Sequence, residues 1–278
     1  MKGLIFDIQR SSFVDGDGVR TAVFFKGCNL RCKWCHNPEG IEKDVQMLYY
    51  KSRCTGCGKC NTVCDFSGKE CTLCGKCTIL CPNDAKEICG KEYTGNELLS
   101  IILRDRELYE RSGGGVTFTG GECMLQIDFL EKILKLCKRE GVNTAVDTAG
   151  NVSREYFERI LPFVDTFLYD IKCANEDLHK KFTGVTNRLI LENLEFLVQT
   201  GKRVVVRVPV VVGFNADVQE MNRIFELLKG KNVHRVELLP YHRLGEHKYE
   251  GVGLTTWGFD APNESQMKQF KEMLGEML

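Results

Sequence analysis

Apolar, β-rich stretches recur along the chain: "TAVFF" (21–25), "VTFT" (116–119), "TAVDT" (144–148), "TFLYDIK" (166–172), "RVVVRVPVVV" (203–212) and "HRVELLP" (234–240). Between most of them the apolar residues recur at helical spacing. Residues 128–140 set Phe129, Leu130, Ile133, Leu134 and Leu136 on one broad face, and 218–229 do the same with Val218, Met221, Ile224, Phe225 and Leu228. The segments 96–110, 154–163, 188–200 and 264–277 share the pattern. Strand and helix in alternation predict an α/β fold, a parallel sheet with crossover helices. Six strands suit a partial (β/α)6 barrel, with an open doubly wound sheet as the alternative.

Residues 50–90 break this rhythm. They hold Cys54, Cys57, Cys60 and Cys64, then Cys71, Cys74, Cys77 and Cys81, followed by Pro82. Each half reads C-x2-C-x2-C-x3-C, the run that holds bacterial [4Fe-4S] clusters, in which the fourth cysteine ligates the other cluster. On that pattern Cys54, Cys57, Cys60 and Cys81 hold one cluster, and Cys71, Cys74, Cys77 and Cys64 hold the second. Gly58-Lys59 and Gly75-Lys76 recur at the same place in each half, which marks an internal duplication. Asp65 stands where the first half would usually carry proline. Zinc, which also takes four thiolates, is the alternative occupant. The expected organisation is a barrel over 1–49 and 91–278, with an inserted ferredoxin-like domain at 50–90.

Composition narrows the partners. With 278 residues, 43% of them hydrophobic, the chain can build a well-packed core. Lysine plus arginine and aspartate plus glutamate both total 38, so no broad basic field points to nucleic acid or to an anionic membrane. There is no charged leader before an apolar stretch, and no apolar run near the roughly 18 residues of a membrane span. A cytoplasmic monomer is the expectation. Fifteen cysteines are then expected as reduced thiols rather than disulfides. Cys89, Cys137 and Cys173 lie outside every motif and read as small buried hydrophobes.

The remaining polar residues gather at strand ends. "GCNLRCKWCHNPEG" (27–40) follows the first strand and spaces Cys28, Cys32 and Cys35 as C-x3-C-x2-C. That is three ligands for a centre that needs four, and His36 is too close to Cys35 to serve easily. Gly120, Gly121 and Glu122 follow the second strand. Asp147 and Thr148 end the third, Asp170 and Lys172 the fourth; Arg207 lies within the fifth, and His242 follows the sixth. In parallel α/β folds ligands sit at the C-terminal strand edge, so these residues converge on one predicted site. Any one of them alone could be a cap, an ion pair or a surface histidine.

"GCNLRCKWC", three cysteines with an aromatic, Trp34, just before the last, resembles the signature of the radical S-adenosylmethionine (SAM) enzymes. The resemblance implies a [4Fe-4S] cluster on Cys28, Cys32 and Cys35 whose fourth iron is left open. SAM would chelate that iron through its amino and carboxylate groups and be cleaved by one electron to methionine and a 5′-deoxyadenosyl radical. "DGDGVRTAVFFKGCNLRCKWCHNPE", "TFTGGE", "DTAG", "YDIK" with His179 and "FTG" downstream, and "LLPYHRLGEHKY" resemble the successive motifs of the glycyl radical enzyme activating enzymes. The cysteine insert places the chain with those relatives that serve glycerol, choline, isethionate, hydroxyphenylacetate and benzylsuccinate enzymes. Two positions depart from the pattern: Asp17 replaces the proline of Asp-Gly-Pro-Gly-x-Arg, and Cys123 follows Gly-Gly-Glu where proline is common.

The resemblance also implies roles. Gly120 and Gly121 would let backbone approach the methionine moiety, Glu122 would meet its ammonium, Lys172 and Arg207 its carboxylate, and His242 its methionyl or ribosyl end. Asp147, Thr148 and Asp170, with the residue-168 carbonyl, would line a monovalent cation. Asp15 and Arg20 would face the incoming glycyl loop. Expected partners are a glycyl radical enzyme and a flavodoxin or ferredoxin electron donor. Three [4Fe-4S] clusters and SAM are the implied cofactors. The competing functions are a radical SAM reaction on a small molecule and a non-catalytic iron-sulfur electron carrier.

Overall fold

A computed structural model describes residues 1–64 and 71–277; Asp65 lies outside the described residues. Six strands run parallel: β2 (Arg20–Phe25), β6 (Gly115–Gly120), β7 (Asn143–Thr148), β8 (Thr166–Asp170), β9 (Arg203–Val210) and β10 (Arg235–Pro240). These are the six anticipated from the sequence. Two further strands, β1 (Lys2–Ser12) and β5 (Lys91–Thr94), pair antiparallel beyond β2 and give the order β10-β9-β8-β7-β6-β2-β1-β5. The last two, β3 (Gln46–Tyr49) and β4 (Lys86–Cys89), form a separate antiparallel ladder that brackets the cysteine-rich segment.

The sheet curls. In a flat sheet β2 and β10 would lie five strand spacings apart, on the order of 24 Å. Yet Asp17, in the β1–β2 loop, meets Arg235 of β10 at 2.9 Å and Arg203 of β9 at 2.5 Å. Above, the loop after β2 stacks His36 on His242, with ring centroids 4.1 Å apart. Only a strongly curved sheet brings both ends of β2 to β10, so the architecture is the partial barrel and not the flat alternative.

Strand alternation sorts the two faces. In β9, Val204, Val206, Val208 and Val210 are buried in the main core, while Arg203 and Arg207 point to the concave side. Crossover helices cover the convex side. Ile127–Arg139 buries Phe129, Leu130, Ile133, Leu134 and Cys137, and Val218–Leu228 buries Met221, Ile224, Phe225 and Leu228. Residues 96–110 are not one helix: Gly95–Ile102 ends in a 3-10 turn before Arg106–Ser112. The helix at 154–163 likewise tightens to 3-10 over Leu161–Phe163. Two short helices carry no prior expectation, Glu176–Thr183 and His247–Gly251, and both press on the three-cysteine loop. Among the described residues no helix is long and apolar enough to cross a membrane.

The duplication within the cysteine segment is visible in its backbone. Gly58 (φ 72°) and Gly75 (φ 74°) both take the left-handed conformation and each starts one helical turn, Lys59–Thr62 and Lys76–Ile79.

Candidate functional site

The cysteine loop springs from the C-terminal end of β2 and is held by backbone bonds on three sides. Cys28 N–H donates to Ile41 O (2.9 Å), and Arg31 and Lys33 N–H donate to Thr183 O (2.7 Å) and Phe182 O (3.1 Å), the last turn of Glu176–Thr183. Beneath it, Gly121 N–H donates to Phe25 O (2.9 Å) and Glu122 N–H to Gly27 O (2.7 Å). A β-carbon on Gly121 would lie 2.3 Å from Gly27 O and 2.6 Å from Gly40 O, so glycine there permits the close approach of the two loops.

A third buttress is the segment after β10. His36 is sandwiched by Tyr241 and His242 (centroids 5.3 and 4.1 Å), and its Nε2 contacts His242 O at 2.9 Å. His36 is thereby engaged away from the thiols, as its adjacency to Cys35 suggested. Tyr249 Oη donates to Cys35 O (2.9 Å), and Lys248 Nζ reaches Asn37 Oδ1 (2.8 Å) and Glu39 (2.7 Å). The same short helix grips the insert. Glu250 accepts from Ser52 N–H (2.8 Å) and from its hydroxyl, while Gly251 packs so tightly on Tyr50 that a β-carbon would lie 2.6 Å from the ring.

Trp34 lies in an aromatic cluster, stacked on Phe214 (4.2 Å) and edge-on to Phe259 (6.2 Å). Its indole therefore anchors the loop. Burial, with mutual repulsion of the sulfurs, pushes Cys28 up to about 12; burial likewise takes Cys32 and Cys35 up to about 12. Such thiols ionise only when a cationic centre supplies the missing charge, as thiolate-bound metals do.

Below the loop the concave face carries a charged set. Arg207 Nη1 lies 3.1 Å from Asp147 Oδ2, which also accepts from Thr119 Oγ1 at 2.8 Å; Lys172 Nζ lies 2.8 Å from Asp170 Oδ2. Burial raises the Asp147 carboxyl to about 6 even against the pull of Arg207. Burial alone would lower Lys172, but Asp170 and the Cys32 sulfur raise it on balance; Arg207 is raised in the same way by Asp147, Asp170 and Asp15. Both cations stay charged. Arg207 Nε and Nη1 are buried without a well-aligned hydrogen-bond acceptor, although Nη1 keeps its ion pair to Asp147; Asn29 Oδ1, Glu39 Oε2 and His179 Nε2 are buried and unpartnered too.

Several anticipated residues sit elsewhere. Glu122 is fully buried and its carboxylate is fully occupied: Thr148 Oγ1 donates to both oxygens (2.9 and 2.8 Å), with Met124 N–H and Ala149 N–H. Its placement is that of a brace between β6 and β7. Thr148 follows Asp147 on a strand, so the two side chains point to opposite faces, and the Thr148 hydroxyl does not join the Asp147 and Asp170 carboxylates. Arg20 begins β2, at the opposite end from Cys28. It is buried, donating to Thr117 Oγ1, Val116 O, Asp17 O and Asn143, and does not reach the site edge. Asp15 lies between these levels; it accepts from Ser12 Oγ, and its carbonyl accepts from Thr117 Oγ1 at 2.6 Å. His242 is exposed against His36. Cys89, Cys123, Cys137 and Cys173 are buried.

The buttressing roles of Tyr249, His36 and the Phe182 and Thr183 carbonyls were not read from the sequence. Tyr249 and the two carbonyls are marked only by their membership of the "LLPYHRLGEHKY" and "FTG" stretches, and His36 only by its place beside Cys35.

This arrangement, three thiols over a curved parallel sheet, coincides with a family model: residues 22–228 match the radical SAM superfamily. The chain belongs to that superfamily. It is 41% identical to a trans-4-hydroxy-L-proline dehydratase activating enzyme of Clostridioides difficile, over 98% of this chain and 96% of that one. It is 42% identical to a choline trimethylamine-lyase activating enzyme of Oleidesulfovibrio alaskensis, over 91% and 87%. Among solved structures, a domain of a pyruvate-formate lyase-activating enzyme from Bacteroides vulgatus superposes with a TM-score of 0.51 at 30% identity, covering 59% of this chain and 94% of that one. Within the superfamily the chain falls among the glycyl radical enzyme activating enzymes.

Proposed function

We propose that the chain binds SAM beside a cluster on Cys28, Cys32 and Cys35 and installs a radical on a backbone glycine of a partner enzyme. The cluster and SAM together supply a one-electron reductive cleavage whose 5′-deoxyadenosyl product takes the glycine hydrogen. The observation that carries the reading is the pairing of three half-buried cysteines with the buried Arg207 and Lys172 cations, Arg207 Nε lacking an acceptor, at the same end of an open barrel. The residues fit the group: Arg207 and Lys172 offer fixed cations to a carboxylate, and Asp147 and Asp170 balance them until one arrives. Hydrogen-atom abstraction needs no general base, so this chain's contribution is to orient the reactants and exclude water.

The eight cysteines between 54 and 81 would hold two further [4Fe-4S] clusters, and a flavodoxin or ferredoxin would supply electrons. All fifteen cysteines are free thiols, which suits a reducing cytoplasm. Reconstituted protein is expected to carry about twelve irons, four for each cysteine set. The functional test mixes reduced protein, SAM and a glycyl radical enzyme without oxygen. A glycine-centred doublet should appear by electron paramagnetic resonance, and deuterium on that glycine should move to 5′-deoxyadenosine. Cofactor cleavage that labels a small molecule and never yields the doublet would overturn the reading.

A further inference from the structure

On the outer side of the cysteine loop lies a cavity of about 360 Å³, walled by Cys32 itself, by Arg31, Lys33 and Lys181, and by Leu254 and Trp257 among others. None of Asp147, Lys172, Arg207 or His242 lines it, so it is separate from the charged interior. Three cations line it and no carboxylate does, in a chain whose formal net charge is zero. Glu42 is drawn to Arg31 at 3.6 Å, while Lys33 and Lys181 have no acidic partner among the described residues. The Lys33 ammonium is fixed by rings, 4.3 Å from the Trp257 centroid and 5.1 Å from Phe182. Trp257 is 61% exposed and Leu254 52%, large apolar side chains facing solvent beside fixed positive charge.

We infer that this cavity is the docking surface for the protein that delivers the electron, an acidic one-electron carrier. The inference rests on the radical SAM reading of the same loop. Electron transfer falls steeply with distance, and here the outer surface comes within one side chain of a cluster ligand. A basic lining steers an acidic partner and sets its orientation, and an exposed tryptophan beside it is the kind of anchor on which interface energy concentrates. The surface would leave the barrel interior free, so donor and glycyl partner would not compete for one face.

The test uses the full holoprotein, with flavodoxin hydroquinone as the acidic donor and titanium(III) citrate as a small reductant that needs no docking. The rate of 5′-deoxyadenosine formation is read in Lys181→Glu and in Trp257→Ser, both outside the cysteine loop. With flavodoxin at low salt each variant should lose tenfold or more in rate, and the wild-type rate should fall as salt is added. With titanium citrate all three proteins should be equal. Variants equal to wild type with flavodoxin overturn the inference. So does an equal loss with both reductants, which would make the surface a prop for the loop, and so does normal cleavage with loss only of the glycyl radical, which would give the surface to the glycyl partner. If replacing the cysteines of 54–81 abolishes flavodoxin-driven cleavage while Lys181→Glu does not, the electron enters through the insert instead. A wild-type protein that cleaves no SAM with titanium citrate defeats the catalytic reading itself, a result separate from all of these.

Discussion

Glu122 carries a carboxyl that burial raises to about 7 from the usual 4.5, despite donors from Thr148, Met124 and Ala149. The folded protein therefore binds this proton more tightly than the unfolded chain does. Its contribution to stability is full below about pH 4.5 and is lost as the pH rises towards about 7, a swing of roughly 3 kcal/mol. Glu122→Gln removes the titration, so the stability of wild type relative to the variant should decline across that window when followed by urea unfolding; a difference independent of pH would contradict it. Arg207 and Lys172 are the cations proposed to meet the ligand. Arg207→Ala and Lys172→Ala should each weaken SAM binding roughly ten- to a hundredfold, the loss of a charge-assisted contact of about 1.5 to 3 kcal/mol, measured by equilibrium binding to the reconstituted protein. The thiol spacing and these two cations were legible in the sequence. The full occupation of Glu122 was not, because the partners of a carboxylate are set by which strands neighbour it.

At the scale of elements, the helix His247–Gly251 has five residues and no amphipathic period to betray it, yet it ties two cysteine systems together. Tyr249→Phe deletes a buried bond to the Cys35 carbonyl and should cost about 1 kcal/mol. The expected signature is a lower melting temperature, with an altered paramagnetic spectrum of the catalytic cluster and unchanged signals from the clusters proposed for the insert. The six parallel strands were readable because each carries a short apolar, β-rich run that packs towards the core, with helical periods between most of them. Strands β1 and β5 escaped notice for the opposite reason: "KGLIFDIQRSS" is half exposed beyond Ile5, and "KEYT" is too short for a period. The break in 96–110 was hidden too, since its apolar spacing continues through a turn that only the backbone reveals.

For the molecule as a whole, curvature is secured at both ends of the sheet. Asp17 fastens the bottom by ion pairs to Arg203 and Arg235; burial opposes its ionisation, but Arg235 and Arg203 hold its carboxyl below the usual value. Its contribution is present above about pH 3.8 and is lost as the pH falls further. These groups are partly exposed, so Asp17→Asn should cost no more than about 1 kcal/mol, and the difference should shrink in high salt. Thermal melts at two ionic strengths check this. The proline usual at that position could make neither bond, which gives the departure at Asp17 a mechanical meaning that the sequence alone did not disclose. The double grip of residues 248–251 has a bearing on ancestry. A cysteine insert that rests on Glu250 and Gly251, while their neighbours Lys248 and Tyr249 hold the catalytic loop, cannot be gained or lost as a free cassette. A chimera that moves 46–89 into a chain lacking it must carry the segment after β10 as well, and lineages should have exchanged the two together.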